Sequence, residues 1–77
     1  MVEANVLVQV KVGASSAVAK AVGEMAGVTE ATVVTGPYDI IARVEADSLD
    51  DLGRMVVSSI QAVEGVSRTL TCPILSL

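Results

Sequence analysis

The side chains that could do chemistry are few, and the missing types already exclude several classes of enzyme. The chain has no histidine and a single cysteine, Cys72. Metal sites with histidine ligands, Ser-His pairs and Cys-His pairs therefore cannot form within these 77 residues. A reactive thiol needs a basic or helix-terminal environment that favours the thiolate, and the nearest basic residue in the sequence is Arg68. We interpret Cys72 as a small apolar side chain.

Four carboxylates that occur close together form the second candidate site: Glu45, Asp47, Asp50 and Asp51. Oxygen ligands of this kind suit a hard cation, but their spacing has no EF-hand pattern. Asp50 and Asp51 come where a helix is expected to begin, and the helix dipole favours negative charge there. We therefore predict no metal, no cofactor and no catalytic residue, and we expect that the protein is not an enzyme.

The remaining cluster is Gly36-Pro37-Tyr38-Asp39, a combination that predicts a turn. Exposed backbone N–H groups in a turn can bind a carboxylate, and Asp39 can pair with an ammonium group. Together they would suit a zwitterion. The same residue types are also ordinary in hairpin loops without a ligand. We expect the Asp39 carboxylate at the mouth of the hairpin, where its removal would cost the fold little.

Charge and composition restrict the partners. Five Lys and Arg against nine Asp and Glu give a net charge of −4 and a pI of about 4.4. Binding to nucleic acid through its phosphates needs the opposite balance, so we expect no direct contact with DNA. No segment resembles a signal peptide or a membrane span. The lone cysteine favours a cytoplasmic protein.

Apolar periodicity predicts a strand and a helix in the first third of the chain. Alternation over Val2–Val12 is typical of a strand with one buried face, and Gly13 ends it. Ser15 or Ser16 is expected to cap the helix. Gly27 stands where a left-handed residue would stop that helix.

Three further strands and a second helix follow. The Val- and Thr-rich segment over 28–35 and the alternating segment over 38–46 predict two strands that form an antiparallel hairpin. Ser48 is expected to cap the second helix through a capping box, and Gly65 to end it before a last strand over 66–75. The predicted apolar stripe of this helix is Leu49, Leu52, Val56, Ile60 and Val63.

The order β-α-β-β-α-β predicts one α+β domain over 1–77 with the ferredoxin-like fold, a four-stranded antiparallel sheet with both helices on one face. The other face would carry a mixed set: Glu3, Asn5, Leu7, Gln9, Lys11, Ile41, Arg43, Glu45, Thr69 and Thr71. Such a face can be solvated. Because chains this small rarely gain enough stability from one core, we expect a homodimer through this face, with pairs such as Arg43 with Glu3 or Glu45.

A larger set of residues carries a family resemblance: the run 35–44 (TGPYDIIARV), then Asp47, Leu49, Leu52, Ile60, Gly65-Val66 and Thr69-Leu70-Thr71. With these, nearly the whole chain resembles the effector domain of the Lrp/AsnC regulators, also called the regulation of amino acid metabolism domain. The most specific part is the G-x-Y-D hairpin followed by a strand and the second helix. The helix-turn-helix domain of full-length members has no room in 77 residues, so the chain resembles the stand-alone members.

The resemblance implies that chains pair through their sheets, that dimers form larger rings, and that amino acids or related small effectors bind between dimers. At matching positions, the effector would contact Gly36, Tyr38 and Asp39. Less specific matches in the same neighbourhood are Thr32, Leu49, Thr71, Cys72 and Pro73. The dimer contact would include Leu7, Gln9, Ile41, Arg43 and Thr69.

The resulting hypothesis is a non-catalytic module that binds an amino acid, forms homo-oligomers and modulates transcription regulators, with full-length family members as further partners. One alternative is a structural adaptor that binds no ligand. Another is a small dimeric monooxygenase or isomerase, a class that would want histidine or aromatic residues in its cleft. An ACT-type sensor shares the strand order, but the G-x-Y-D hairpin favours the Lrp/AsnC type.

Overall fold

The predicted order of elements is present in the computed structural model, which describes residues 1–76. The strands are β1 (Val2–Val10), β2 (Val28–Val33), β3 (Ile40–Ala46) and β4 (Val66–Pro73). The helices are α1 (Ser15–Gly23) and α2 (Leu49–Met55), and α2 continues as a π-helical turn over Val56–Ile60. The βαββαβ order confirms the ferredoxin-like fold.

The four strands form one antiparallel sheet in the order β2-β3-β1-β4. The first strand of the chain is therefore central, with β3 on one side and β4 on the other. The two edges are β2 and β4. Neither helix within residues 1–76 is long and apolar enough to cross a membrane.

The core lies between one face of the sheet and the helices, and it is built from small aliphatic side chains. The even-numbered positions of β1 and β3 face the helices, as the alternation predicted. The buried residues are Ala4, Val6, Val8, Val18, Val22, Ile40, Ala42, Val44, Leu52, Val56 and Ile60. We call the opposite side of the sheet the open face.

The first strand is shorter than predicted. It ends at Val10, and its pairing with β4 shifts register between Gln9 and Val10. Beyond it, the Lys11 N–H leaves the sheet and donates to the carbonyl of Gly65 at 2.8 Å. The expectation that Val12 continues the buried face is wrong, since this residue is fully exposed.

The helix ends differ from the predicted ones except at Ser48, whose hydroxyl accepts the Asp51 N–H at 3.1 Å as expected. The first helix has Ala14 at its N-cap and no side-chain cap, so the capping role predicted for Ser15 or Ser16 is wrong. Gly27 and Gly65 do adopt positive φ, but in the turns after the helices have already ended.

The π-helical turn keeps the second half of the predicted apolar stripe in the core. The Gln61 N–H donates to the carbonyl of Val56 at 2.9 Å, five residues back. The Ser58 hydroxyl donates to the carbonyl of Arg54, a bond that competes with the helix ladder. Ile60 is fully buried as predicted, but Leu49 is 58% exposed and does not belong to the stripe.

Two leucines of the second helix offer a matched test of this packing. Leu52 is 1% exposed and Leu49 is 58% exposed. Replacing Leu52 by Ala should lower the free energy of unfolding by about 2–5 kcal/mol, because it leaves a cavity. Replacing Leu49 by Ala should change it by about 0.5 kcal/mol or less. Urea denaturation at one protein concentration measures both, and equal losses would contradict the assignment of these faces.

Candidate functional site

The candidate site is the loop over residues 34–39, which joins the two strands of the hairpin. The strands end earlier and begin later than predicted, at Val33 and Ile40, so the loop is longer than the expected turn. The Val34 N–H donates to the Asp39 carbonyl at 2.9 Å and closes the loop. The Asp39 N–H donates to the Val8 carbonyl at 2.9 Å and attaches it to β1.

A pocket of about 410 Å³ lies between this loop and the open face. Its floor is formed by Leu7 and Ile41, which are cross-strand partners on the two central strands. Its wall is the loop itself, from Val34 to Tyr38. Tyr38 is the only aromatic residue of the chain, and it is half-buried. The pocket therefore offers aliphatic and aromatic surface at one end of the sheet.

The loop also carries backbone groups that can bind an anion. Within residues 1–76, the N–H groups of Thr35, Gly36 and Tyr38 donate no hydrogen bond. Gly36 has a φ of 150°, in the region that favours glycine. Adjacent unpaired N–H groups of this kind can accept a carboxylate.

The sequence led us to expect the Asp39 carboxylate at the mouth of the hairpin, where its removal would cost the fold little. In the structure this carboxylate is instead bonded to the end of β1. Its Oδ2 accepts the backbone N–H of Val10 at 2.9 Å in a part-buried contact. A second bond connects the same two segments, because the Gln9 Nε2 donates to the Pro37 carbonyl at 3.3 Å. The loop is thus bonded to the end of β1 through both Asp39 and Pro37.

The other residues predicted for effector contact are not all near the loop. Thr32 lies beside Ile41 on the open face, and its hydroxyl donates to the Glu30 carboxylate at 3.1 Å. Leu49 follows the far end of β3. Cys72 and Pro73 are exposed, and they pair with Asn5 and Ala4 toward the far end of β1. Within one chain, these last three predicted residues are not brought to the loop.

The register of β4 corrects the predicted composition of the open face. Thr69 and Thr71 pair with Val8 and Val6, so both lie on the helix side of the sheet. The Thr69 hydroxyl accepts a hydrogen bond from the Gln61 side chain at 2.8 Å. Placing Thr69 and Thr71 on the open face was wrong. The residues of this strand that do face outward are Arg68, Leu70 and Cys72, opposite Gln9, Leu7 and Asn5.

Apolar side chains form one row across the open face, from β3 over β1 to β4: Ile41, Leu7 and Leu70. Ile41 is 37% exposed and Leu70 47% exposed. The neighbouring row is polar, with Glu30, Arg43 and Asn5 on β2, β3 and β1. Arg43 also lies 3.5 Å from the Glu3 carboxylate. The sequence predicted a pair of these two residues across a dimer contact, whereas here it forms within one chain. Because both side chains are nearly half exposed, at 43% and 48%, the pair adds little to stability by itself.

The carboxylates considered as a cation site have other surroundings. Glu45, Asp47 and Asp51 line a shallow depression with Met55. The Asp51 backbone is part of the helix cap described above. Within residues 1–76, no three His, Cys, Asp or Glu side chains are grouped as a metal ion would need.

Sequence reasoning identified the turn but missed most of the pocket. Leu7 and Ile41 were predicted as dimer contacts, whereas in one chain they also form the pocket floor. Val34 and Thr35 were not predicted as site residues, and Pro37 was predicted only as part of the turn. The signal that could have found Val34 is its position two residues after Thr32, which continues the outward face of the strand into the loop.

The structure is a small α+β domain, a four-stranded sheet with one bare, partly apolar face and a loop with unpaired N–H groups at its end. The sequence pattern of the family described as "Lrp/AsnC ligand binding domain" matches residues 3–77. The chain belongs to this family. The resemblance found in the G-x-Y-D hairpin is thereby confirmed.

The chain is similar to parts of two different kinds of protein, a transcriptional regulator and an enzyme. An uncharacterised HTH-type transcriptional regulator of Pyrococcus abyssi is 30% identical over 54 residues, 70% of this chain and 36% of the regulator. A homocitrate synthase of Sulfurisphaera tokodaii is 38% identical over 61 residues, 79% of this chain but 13% of the enzyme. The chain thus spans only about a third of the regulator's length and far less of the enzyme's.

A solved structure of similar size also matches. A protein of Thermus thermophilus superposes with a TM-score of 0.93 and 34% identity, over 100% of this chain and 96% of that one. The fold described above is therefore also that of a solved relative with nearly the same extent.

Two exposed glycines test whether the loop needs its special backbone. A Cβ would meet nothing within 4 Å at Gly36 or at Gly53, but only Gly36 has a positive φ. Gly36→Ala should lower the free energy of unfolding by roughly 1 kcal/mol or more through backbone strain. Gly53→Ala, inside α2, should raise it by roughly 0.5–1 kcal/mol. Thermal or urea unfolding compares them, and stabilisation by both would mean that the loop backbone is unstrained.

Proposed function

We propose that this chain is a non-catalytic module that binds an amino acid and thereby modulates regulators of transcription in amino acid metabolism. The observation that carries the proposal is the pocket beside the loop, where apolar surface from Leu7, Ile41 and Tyr38 adjoins the unpaired N–H groups of Gly36 and Tyr38. Family membership supports it, since the family is described by ligand binding. The Pyrococcus relative, a transcriptional regulator, supports the context.

The proposed binding mode follows from the two kinds of surface. The effector carboxylate accepts hydrogen bonds from the loop N–H groups. Its side chain packs on Leu7 and Ile41, which removes apolar area from water. Thr32 is the cross-strand partner of Ile41 on β2. Such an effector binds the folded chain and not the unfolded one, so it stabilises the fold. It also favours the assembly in which the pocket is complete.

We propose that the open face pairs with a second copy of the chain. The apolar row of Ile41, Leu7 and Leu70 would form the centre of the contact, and Gln9 and Arg43 its polar part. Effector contacts from Leu49, Cys72 or Pro73 would then have to come from a neighbouring chain in a higher oligomer, because within one chain these residues lie away from the loop.

The proposed partners are therefore the effector, further copies of this chain and regulators that contain the same domain. Contact with DNA is left to those regulators, since the net charge is −4. The proposed location is the cytoplasm, where such regulators act.

A second candidate partner is an enzyme. The similarity to homocitrate synthase covers most of this chain and only a small part of the enzyme. A regulatory module joined to a biosynthetic enzyme would present this arrangement. In that case this chain would bind a separate enzyme chain. The activity of that enzyme would change when the effector binds the site described here.

Thermal unfolding in the presence of each of the twenty amino acids tests the effector site. A ligand present at 100 times its Kd stabilises the fold by about 2.7 kcal/mol, which raises Tm by several degrees in a domain of this size. We expect such a rise with a subset of the twenty. Tyr38→Ala should lose the response, whereas Val57→Ala, exposed on α2's continuation, should retain it. No response to any amino acid would favour the adaptor without a ligand.

Light scattering at micromolar concentration tests the interface. The wild type should have at least twice the chain mass of 7.9 kDa. Leu7→Lys should shift it to the monomer, because burying an unpaired charge at the centre of the apolar row is costly. Val57→Lys should leave the mass unchanged. A monomeric wild type would contradict the proposed dimer.

A further inference from the structure

Asp39 uses its backbone and its side chain to attach the loop to the sheet. Its N–H donates to the Val8 carbonyl and its carbonyl accepts the Val34 N–H, both at 2.9 Å. Its Oδ2 accepts the Val10 N–H, also at 2.9 Å. A residue in contact with two segments in this way fixes their relative position.

The Val10 N–H is a donor that this carboxylate is well placed to satisfy. The Val10 N–H points to the β3 side of β1, where the Val8 carbonyl accepts the Asp39 N–H. The ladder with β3 ends at the pair Val8 and Ile40, so no residue of β3 is opposite Val10. A buried donor without a partner is costly. A hydrogen bond to a carboxylate is among the stronger ones that could replace the ladder bond.

The segment that receives the loop is itself held in place. One residue further on, the Lys11 N–H donates to the Gly65 carbonyl at 2.8 Å. The Lys11 carbonyl accepts the Ala14 N–H at 3.0 Å, at the start of α1. The end of β1 is thus tied to the turn before β4 and to the first helix. Because Val10 is held in place, the loop bonded to it is also held in place.

We propose that Asp39 is a positioning residue, whose carboxylate holds the 34–39 loop on the end of β1 so that the N–H groups of Gly36 and Tyr38 stay in place for an effector. The inference rests on the proposed function. In this role, Asp39 forms no ion pair with the ammonium group of the effector. The acceptor oxygen is what the role requires. Asparagine supplies an equivalent oxygen without the charge.

Amide hydrogen exchange and chemical shifts, measured by NMR without any ligand, test the role. In Asp39→Ala, the Val10 amide should exchange roughly tenfold faster or more. The Gly36 and Tyr38 amide resonances should move at the same time. Asp39→Asn should restore both toward the wild type, and Asp47→Ala, an exposed carboxylate, should change neither. If Asp39→Ala leaves these amides unchanged, or if Asp39→Asn behaves like Asp39→Ala, the proposal is wrong.

The amino acid panel separates this inference from the proposed function. Asp39→Asn should keep the thermal response of the wild type. If Asp39→Asn keeps the Val10 amide protected from exchange but loses the thermal response, the charge of Asp39 contacts the effector. That result would overturn the positioning role. If the wild type responds to no amino acid while the Val10 result holds, the proposed effector fails and the structural role of Asp39 stands.

Discussion

The absence of aromatic side chains from the core is the constraint on which the rest of the structure depends. The largest buried residues are Ile40, Leu52 and Ile60, and the single aromatic residue of the chain is in the loop. Small side chains fill the space only if the layers approach closely. The turn before β4 also packs closely on the start of α1, since a Cβ at Gly65 would lie 3.0 Å from the Ala14 Cβ. A core of this size stabilises a chain weakly, so covering the open face would add stability.

Alternation predicted the facing of β1 and β3 because both strands bury every second residue, and one strand fixes the register of the next. It failed for β4, where the sequence after Val66 is mostly polar. Ser67, Arg68 and Thr69 give no apolar signal, so the parity of the strand could only be known from its pairing with β1. The π-helical turn was missed for a similar reason, since its apolar spacing is compatible with an ordinary helix.

The turn residues of the site were predictable because glycine and proline report local backbone geometry. The contacts of Asp39 were not, because they depend on where β1 extends past the start of β3, and the bonded Val10 is 29 residues away in the sequence. The pocket floor was half predicted. Leu7 and Ile41 stood out as apolar residues on a polar face, but only the folded loop places a wall beside them.

The same two residues would connect the proposed ligand binding with the proposed assembly. Leu7 and Ile41 form the floor of the pocket and also the centre of the apolar row on the open face. A second chain on that face and an effector in that pocket would therefore touch the same side chains. Linkage requires the influence to be mutual: an effector that fills space between the chains tightens their association, and one that displaces the second chain loosens it. In either case the open face, which the small core leaves uncovered, would be the surface through which the proposed effector acts on the proposed oligomer.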